Sequence, residues 1–150
     1  MKSLGLFSNS RDRQQAQLVA PQYLKIAKDC IKLINSTTNP DVFFPRYDLL
    51  IEQCSKLSQL ECYIKFTGTR PSTQLITFKL QRDEETRRFI HRSFEKLKQD
   101  VDKLKTAKAK GNKVDSYFAK MSIYSRYISA NNQKLLEEFE AYFKKLETAW

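Results

Sequence analysis

Apolar side chains recur at steps of three and four along most of this chain, the spacing that gives a helix one greasy flank. The first clear stripe is Tyr23, Ile26, Ala27, Cys30, Leu33 and Ile34. Pro21 suits the first turn of that helix, where its missing N–H costs nothing, and a weaker stretch from Arg13 to Ala20 precedes it. The run Asn35-Ser36-Thr37-Thr38 ends the stripe, because such side chains compete for backbone hydrogen bonds. Asn39-Pro40-Asp41 then predicts a helix start, with a capping side chain, a first-turn proline and an acid at the positive end of the dipole. Its stripe is Phe43, Tyr47, Leu50, Ile51, Cys54, Leu57, Leu60 and Ile64, with Pro45 expected to delay regular helix to Phe44.

Gly68-Thr69-Arg70-Pro71-Ser72 interrupts the pattern. Beyond it, Leu75, Phe78 and Leu80 lead to Ile90, Phe94, Leu97, Val101 and Leu104, and the last five form a short heptad seam. Lys110-Gly111-Asn112-Lys113 reads as a helix stop, since glycine accepts the left-handed cap conformation. Val114, Tyr117, Phe118, Met121, Tyr124 and Ile128 predict a fourth helix. After a turn at Ser129-Ala130-Asn131-Asn132, Leu135, Leu136, Phe139, Tyr142, Phe143, Leu146 and Trp150 predict a fifth.

The stripes therefore predict an all-α fold, an antiparallel bundle of five or so helices, because short connections set successive helices antiparallel. Residues 1–13 read as a loose lead-in and 14–150 as a single helical bundle domain, in keeping with a length of 150 residues. One stretch has an alternative: Cys62, Ile64 and Phe66, then Ile76, Phe78 and Leu80, alternate with polar residues, so a β-hairpin across 62–80 competes with helix. Helix is preferred, because both runs continue helical stripes and an isolated hairpin is marginal.

Composition narrows the class. Three glycines and four prolines are too few for a many-turned β sandwich. The cysteines Cys30, Cys54 and Cys62 are odd in number, lack a CxxC pair and sit among apolar residues, so they are expected as small buried hydrophobes in a reducing compartment. The apolar patch Leu4-Gly5-Leu6-Phe7 is shorter than a secretory or membrane-spanning segment, which predicts a cytoplasmic protein, with Leu4, Leu6 and Phe7 available to touch a partner or a membrane surface.

Asn39-Pro40-Asp41-Val42-Phe43-Phe44-Pro45-Arg46-Tyr47-Asp48-Leu49-Leu50, Phe89-Ile90-His91-Arg92-Ser93-Phe94-Glu95, and the run from Leu104-Lys105-Thr106 to Lys113 together carry a resemblance. The chain resembles a loose group of uncharacterised helical proteins widespread in Gram-positive bacteria and their mobile elements. The likeness spans roughly residues 20–145, the extent of one folded unit; Pro45 departs from the small helix-compatible residue expected there. It implies a helical fold and a bacterial cytoplasmic setting, and assigns no activity to any residue.

Candidate chemistry is sparse. The single histidine, His91, lies between Arg88 and Arg92 without a partner motif; no zinc spacing and no Glu-x-x-His pair is present. A non-enzyme without metal or cofactor is expected. The Arg70-Pro71-Ser72-Thr73 corner has the makings of an anion site at a helix start. Charge is concentrated elsewhere: between Arg87 and Lys113 ten basic residues face three acidic ones, a net +7. Arg87, Arg88, Arg92, Lys96, Lys98, Lys105, Lys108, Lys110 and Lys113 are therefore candidate polyanion contacts. Tyr127, Tyr142 and Trp150, in an aromatic-rich C-terminal segment, are candidate protein contacts. Two functions stay open. One is a non-enzymatic helical interaction or scaffold domain meeting another protein or a second copy; the other is a nucleic-acid-binding accessory protein using residues 87–113.

Overall fold

The computed structural model describes residues 6–150, and among them the fold is an all-α bundle without a strand. Five helices follow in order: α1 (Leu6–Ser36), α2 (Pro40–Gln59), α3 (Pro71–Lys103), α4 (Ala107–Ile123) and α5 (Ala130–Glu147), with one 3-10 turn at Ser125–Tyr127. The hairpin alternative is thereby excluded: residues 71–80 are the first turns of α3, and the chain before them is turn and loop, with Gly68 at φ +77°. Residues 6–13, expected as part of a lead-in, belong to α1. Leu4 lies outside the described residues, and the contact expected of Leu6 and Phe7 falls outside the side chains described.

Asn39 caps α2 as its sequence context predicts: Asp41 N–H donates to Asn39 Oδ1 at 3.0 Å. Regular helix starts at Pro40 rather than Phe44, because an exposed proline in the second turn removes one hydrogen bond without disturbing the buried flank. Pro21 likewise lies inside α1 instead of opening it. The break expected at 110–113 falls at Leu104-Lys105-Thr106. Thr106 accepts from Ala109 N–H and so starts α4, while Gly111 sits within that helix with open space beside it.

The chain divides into two compact units. One holds the residues up to Leu33 with Arg46–Gln81; the other holds Ile34–Pro45 with Arg82–Trp150. In the first, Cys30, Tyr47, Leu50, Cys54 and Leu57 are buried, and the Tyr47 hydroxyl donates to the Phe78 carbonyl at 2.6 Å. Burial raises the thiols of Cys30 and Cys54, the latter to about 11, so both are held neutral. Cys62 departs from expectation and is exposed.

In the second unit the core is aromatic. Phe43 stacks on Phe89 at 4.4 Å, Phe44 stacks on Tyr124 at 4.7 Å, and Phe94 lies flat on Phe139 at 3.7 Å with Phe143 edge-on at 5.4 Å. Of the seam residues, Ile90, Phe94, Leu97 and Val101 are buried, and Leu104, just past the end of α3, is half-buried. Asn132, also buried, donates to the Asp83 carbonyl at 3.0 Å and ties the start of α5 to α3. Truncating Phe94 to alanine removes a stacked and two edge-on ring contacts; urea unfolding is expected to register a loss of about 3–5 kcal/mol.

Candidate functional site

The chain carries 27 lysines and arginines, several of them already engaged. Arg92 is one. Its Nε donates to the Thr37 carbonyl at 2.9 Å and its Nη2 to the Ile34 carbonyl at 2.8 Å, closing the open carbonyl end of α1. Burial lowers its pKa, with the Glu85 charge opposing. A guanidinium fixed in this way is structural, its Nε–Nη2 edge taken by main-chain carbonyls.

Other members of the basic segment are paired more loosely. Arg88 meets Glu85 at 3.0 Å, and Lys98 meets Glu95 at 2.8 Å while lying over the rings of Phe94 and Tyr142. Lys110 lies over the Trp150 ring at 5.8 Å. Arg87, Lys105 and Lys108 are exposed. The segment therefore does not present a single basic face. Set out by unit, the picture inverts: the second unit carries sixteen basic and twelve acidic residues, the first eleven and five. The smaller unit holds the larger excess.

The aromatic candidates are also spread out. Tyr127 is half-buried, its ring 4.8 Å from the Arg82 and from the Arg126 guanidinium, and its hydroxyl accepts from Arg126 Nη2 at 2.8 Å. Trp150 is half-covered, and Tyr142 is the one of the three that stands exposed.

The structure brings together two constellations that sequence spacing does not display. In the second unit, Lys96 and Asp100 of α3 and Lys113 and Lys120 of α4 wall a half-open cavity of about 270 Å³ beside the first turn of α2. Asp100 faces Lys96 at 3.0 Å and Lys113 at 4.0 Å; Asp41 accepts from Lys120 at 2.5 Å and from the Tyr124 hydroxyl at 2.6 Å. The floor carries the buried Ser93–Tyr117 hydroxyl pair, 2.7 Å apart, with the Tyr117 phenol pushed up to about 12 by burial and so held neutral. Lys96 and Lys113 were candidates from the charge count, whereas Lys120, seven residues outside the basic run, gave no signal of its own.

In the first unit, α1 and the loop leading to α3 enclose a half-open groove of about 440 Å³. Ala20, Pro21, Leu24, Ile64, Phe66 and Pro71 make it apolar, and Lys28 and Lys65 add positive charge. The nearby Arg70-Pro71-Ser72-Thr73 corner already holds an anion of its own. The Glu61 carboxylate accepts from Ser72 N–H at 2.6 Å, from Ser72 Oγ at 3.0 Å and from Arg70 at 3.3 Å, which makes it the cap of α3. Among the described residues no group of three histidine, cysteine, aspartate or glutamate side chains is placed to hold a metal, and no helix is long and apolar enough to cross a membrane.

No family model, curated protein or solved structure matches the chain.

Two outcomes follow from the engaged charges. Arg92→Met leaves two helix-end carbonyls unpaired and is expected to cost about 1.5–3 kcal/mol in urea unfolding, whereas Arg87→Gln, on an exposed site, is expected to stay within about 0.5 kcal/mol of the parent. The carboxyls of Asp41 and Glu61 are held below their usual range, the first mainly by the Lys120 hydrogen bond and the second mainly by Ser72 N–H. The folded chain thus binds these protons less readily than the unfolded one. Their stabilisation is complete above the unfolded carboxyl value, about 4, and is lost as pH falls through the folded values. Denaturation midpoints followed from neutral pH downward are expected to drop in that acid window, and less so in the Asp41→Asn, Glu61→Gln double variant.

Proposed function

We propose that the protein is a non-enzymatic interaction module whose first unit grips an acidic segment of another protein by an apolar anchor. The groove lined by Leu24, Ile64, Phe66, Lys28 and Lys65 carries this reading. Buried, well-enclosed anchors supply most of the affinity at protein interfaces, and surrounding charge sets partner choice and encounter rate. A volume of about 440 Å³ accommodates one or two bulky side chains, and the two lysines favour acidic residues flanking them.

The surroundings support the same partner. Between Leu18 and Leu33 the solvent flank of α1 mixes the exposed Leu18, Ile26 and Leu33 with Lys25, Lys28 and Lys32, against one acid, Asp29. Ile76 and Leu80, 59% and 78% exposed, lie on α3 in the same unit. Isolated apolar side chains on a surface are ordinary; five in one unit, on a surface with an excess of cations, suit a ligand that is apolar on one side and acidic on the other.

Selection of a random peptide-display library on the intact protein tests the proposal. The expected consensus is a bulky apolar residue flanked by Asp or Glu, with binding weakened about tenfold or more, at least 1.4 kcal/mol, by Lys28→Glu with Lys65→Glu. A consensus without acids, or one indifferent to that double reversal, would contradict it. The nucleic-acid reading rests on the exposed Arg87, Lys105 and Lys108, and titration with duplex DNA at several salt concentrations separates the two. Steeply salt-dependent binding that Arg87→Glu and Lys105→Glu abolish would favour DNA instead.

A further inference from the structure

We infer that the lysine-walled cavity of the second unit is a binding site for a small phosphorylated ligand, independent of the groove in the first unit. Three lysines from two helices line one half-open cavity: Lys96 on α3, and Lys113 and Lys120 two turns apart on α4, with Ser116 between them in sequence and also in the lining. One carboxylate, Asp100, lines the cavity against them, so the wall carries a surplus of two positive charges. Counting Asp41, paired with Lys120, still leaves a positive balance.

Folding does not call for this cluster. The three lysine side chains are 47–49% exposed in their ion pairs, and pairs so exposed contribute about 0–1 kcal/mol each. What the arrangement does achieve is to line one cavity with three lysines, each within 4.0 Å of a carboxylate. Lysine binds phosphate as a point charge whose three donors adapt to the oxygens. The hydroxyls of Thr38 and Ser116 add further donors. The first turn of α2 adds only its dipole, since Asp41, Val42 and Phe43 N–H groups all donate to Asn39.

Size limits the ligand. About 270 Å³ lies just below the range of roughly 300–1,000 Å³ typical of sites for drug-sized molecules, which suits a phosphate monoester with a short polar remainder. Asp100 gives the site a property that a plain surface ion-pair cluster lacks. It competes with the ligand for Lys96 and Lys113, so removing its charge strengthens phosphate binding even though two ion pairs are lost.

The test is a titration of the full chain with inorganic phosphate, followed by amide chemical shifts at constant ionic strength held with chloride. Saturable shifts are expected around Lys96, Ser116 and Tyr117. Lys113→Gln and Lys120→Gln should each weaken binding about tenfold, the loss of one charge-assisted hydrogen bond. Asp100→Asn should tighten it severalfold, and Lys108→Gln, on an exposed residue of α4 outside the cavity, should leave it unchanged. Glycerol 3-phosphate and a short DNA duplex, run in parallel, separate a free phosphate monoester from a nucleic-acid backbone as the source of the phosphate. Equal shifts with chloride, absence of saturation, or weaker binding by Asp100→Asn in a variant whose spectrum remains folded would overturn the assignment. Preference for the duplex over both small phosphates would overturn it as well.

Discussion

An α-helix turns once every 3.6 residues, so a helix at a protein surface buries one flank and leaves the other to the solvent. The architecture of this protein follows from applying that constraint to helices of 31, 20 and 33 residues. In α1 the buried flank is Ala16, Ala20, Ala27, Cys30 and Ile34, mostly small side chains that permit close approach. The opposite flank carries Leu18, Ile26 and Leu33 among lysines, apolar residues that the chain's own packing leaves partly exposed. Function has to be read from what the buried flanks leave over.

The same constraint explains what was legible in the sequence. Most of the stripe residues of α2, α3 and α5 are covered, Phe43, Tyr47, Leu50, Cys54 and Leu57 being buried as the spacing of three and four requires, whereas Leu80, counted in the α3 stripe, stands exposed. Asn39 was legible as a cap because capping depends on residues within one turn. The boundaries that went astray were those where a local propensity met a longer-range contact. Gly111 reads as a stop, yet a glycine inside a helix costs only about 1 kcal/mol, which packing on either side outweighs. Here α4 begins earlier, at Thr106, and Val114, Tyr117 and Met121 of that helix are buried. Pro21 and Pro45 face solvent, so their rings crowd nothing in the core.

The candidate sites were less legible than the fold, and the reason is electrostatic. Charge counted along the chain marks residues 87–113, but a field depends on what surrounds each charge in space. Arg92 ends on main-chain carbonyls, Asp100 draws in Lys96 and Lys113, and twelve acids share the second unit with its sixteen cations. Five acids in the first unit leave more of its eleven cations unopposed. Glu61 illustrates the same point in reverse: the corner at Arg70 and Ser72 has the chemistry of an anion site, and a carboxylate nine to eleven residues upstream has taken it. Neither the groove nor the lysine-walled cavity corresponds to a sequence motif, since each is assembled from elements far apart in the chain.

Partner recognition by the groove of the first unit remains the proposal to be tested. Hydrogen–deuterium exchange on the intact protein, with and without a saturating acidic peptide carrying one bulky apolar residue, addresses it most directly. The account expects new protection at residues 17–28 of α1 and at 64–74, with amides 87–113 unchanged. Protection confined to 87–113, with 17–28 and 64–74 exchanging as before, would contradict it.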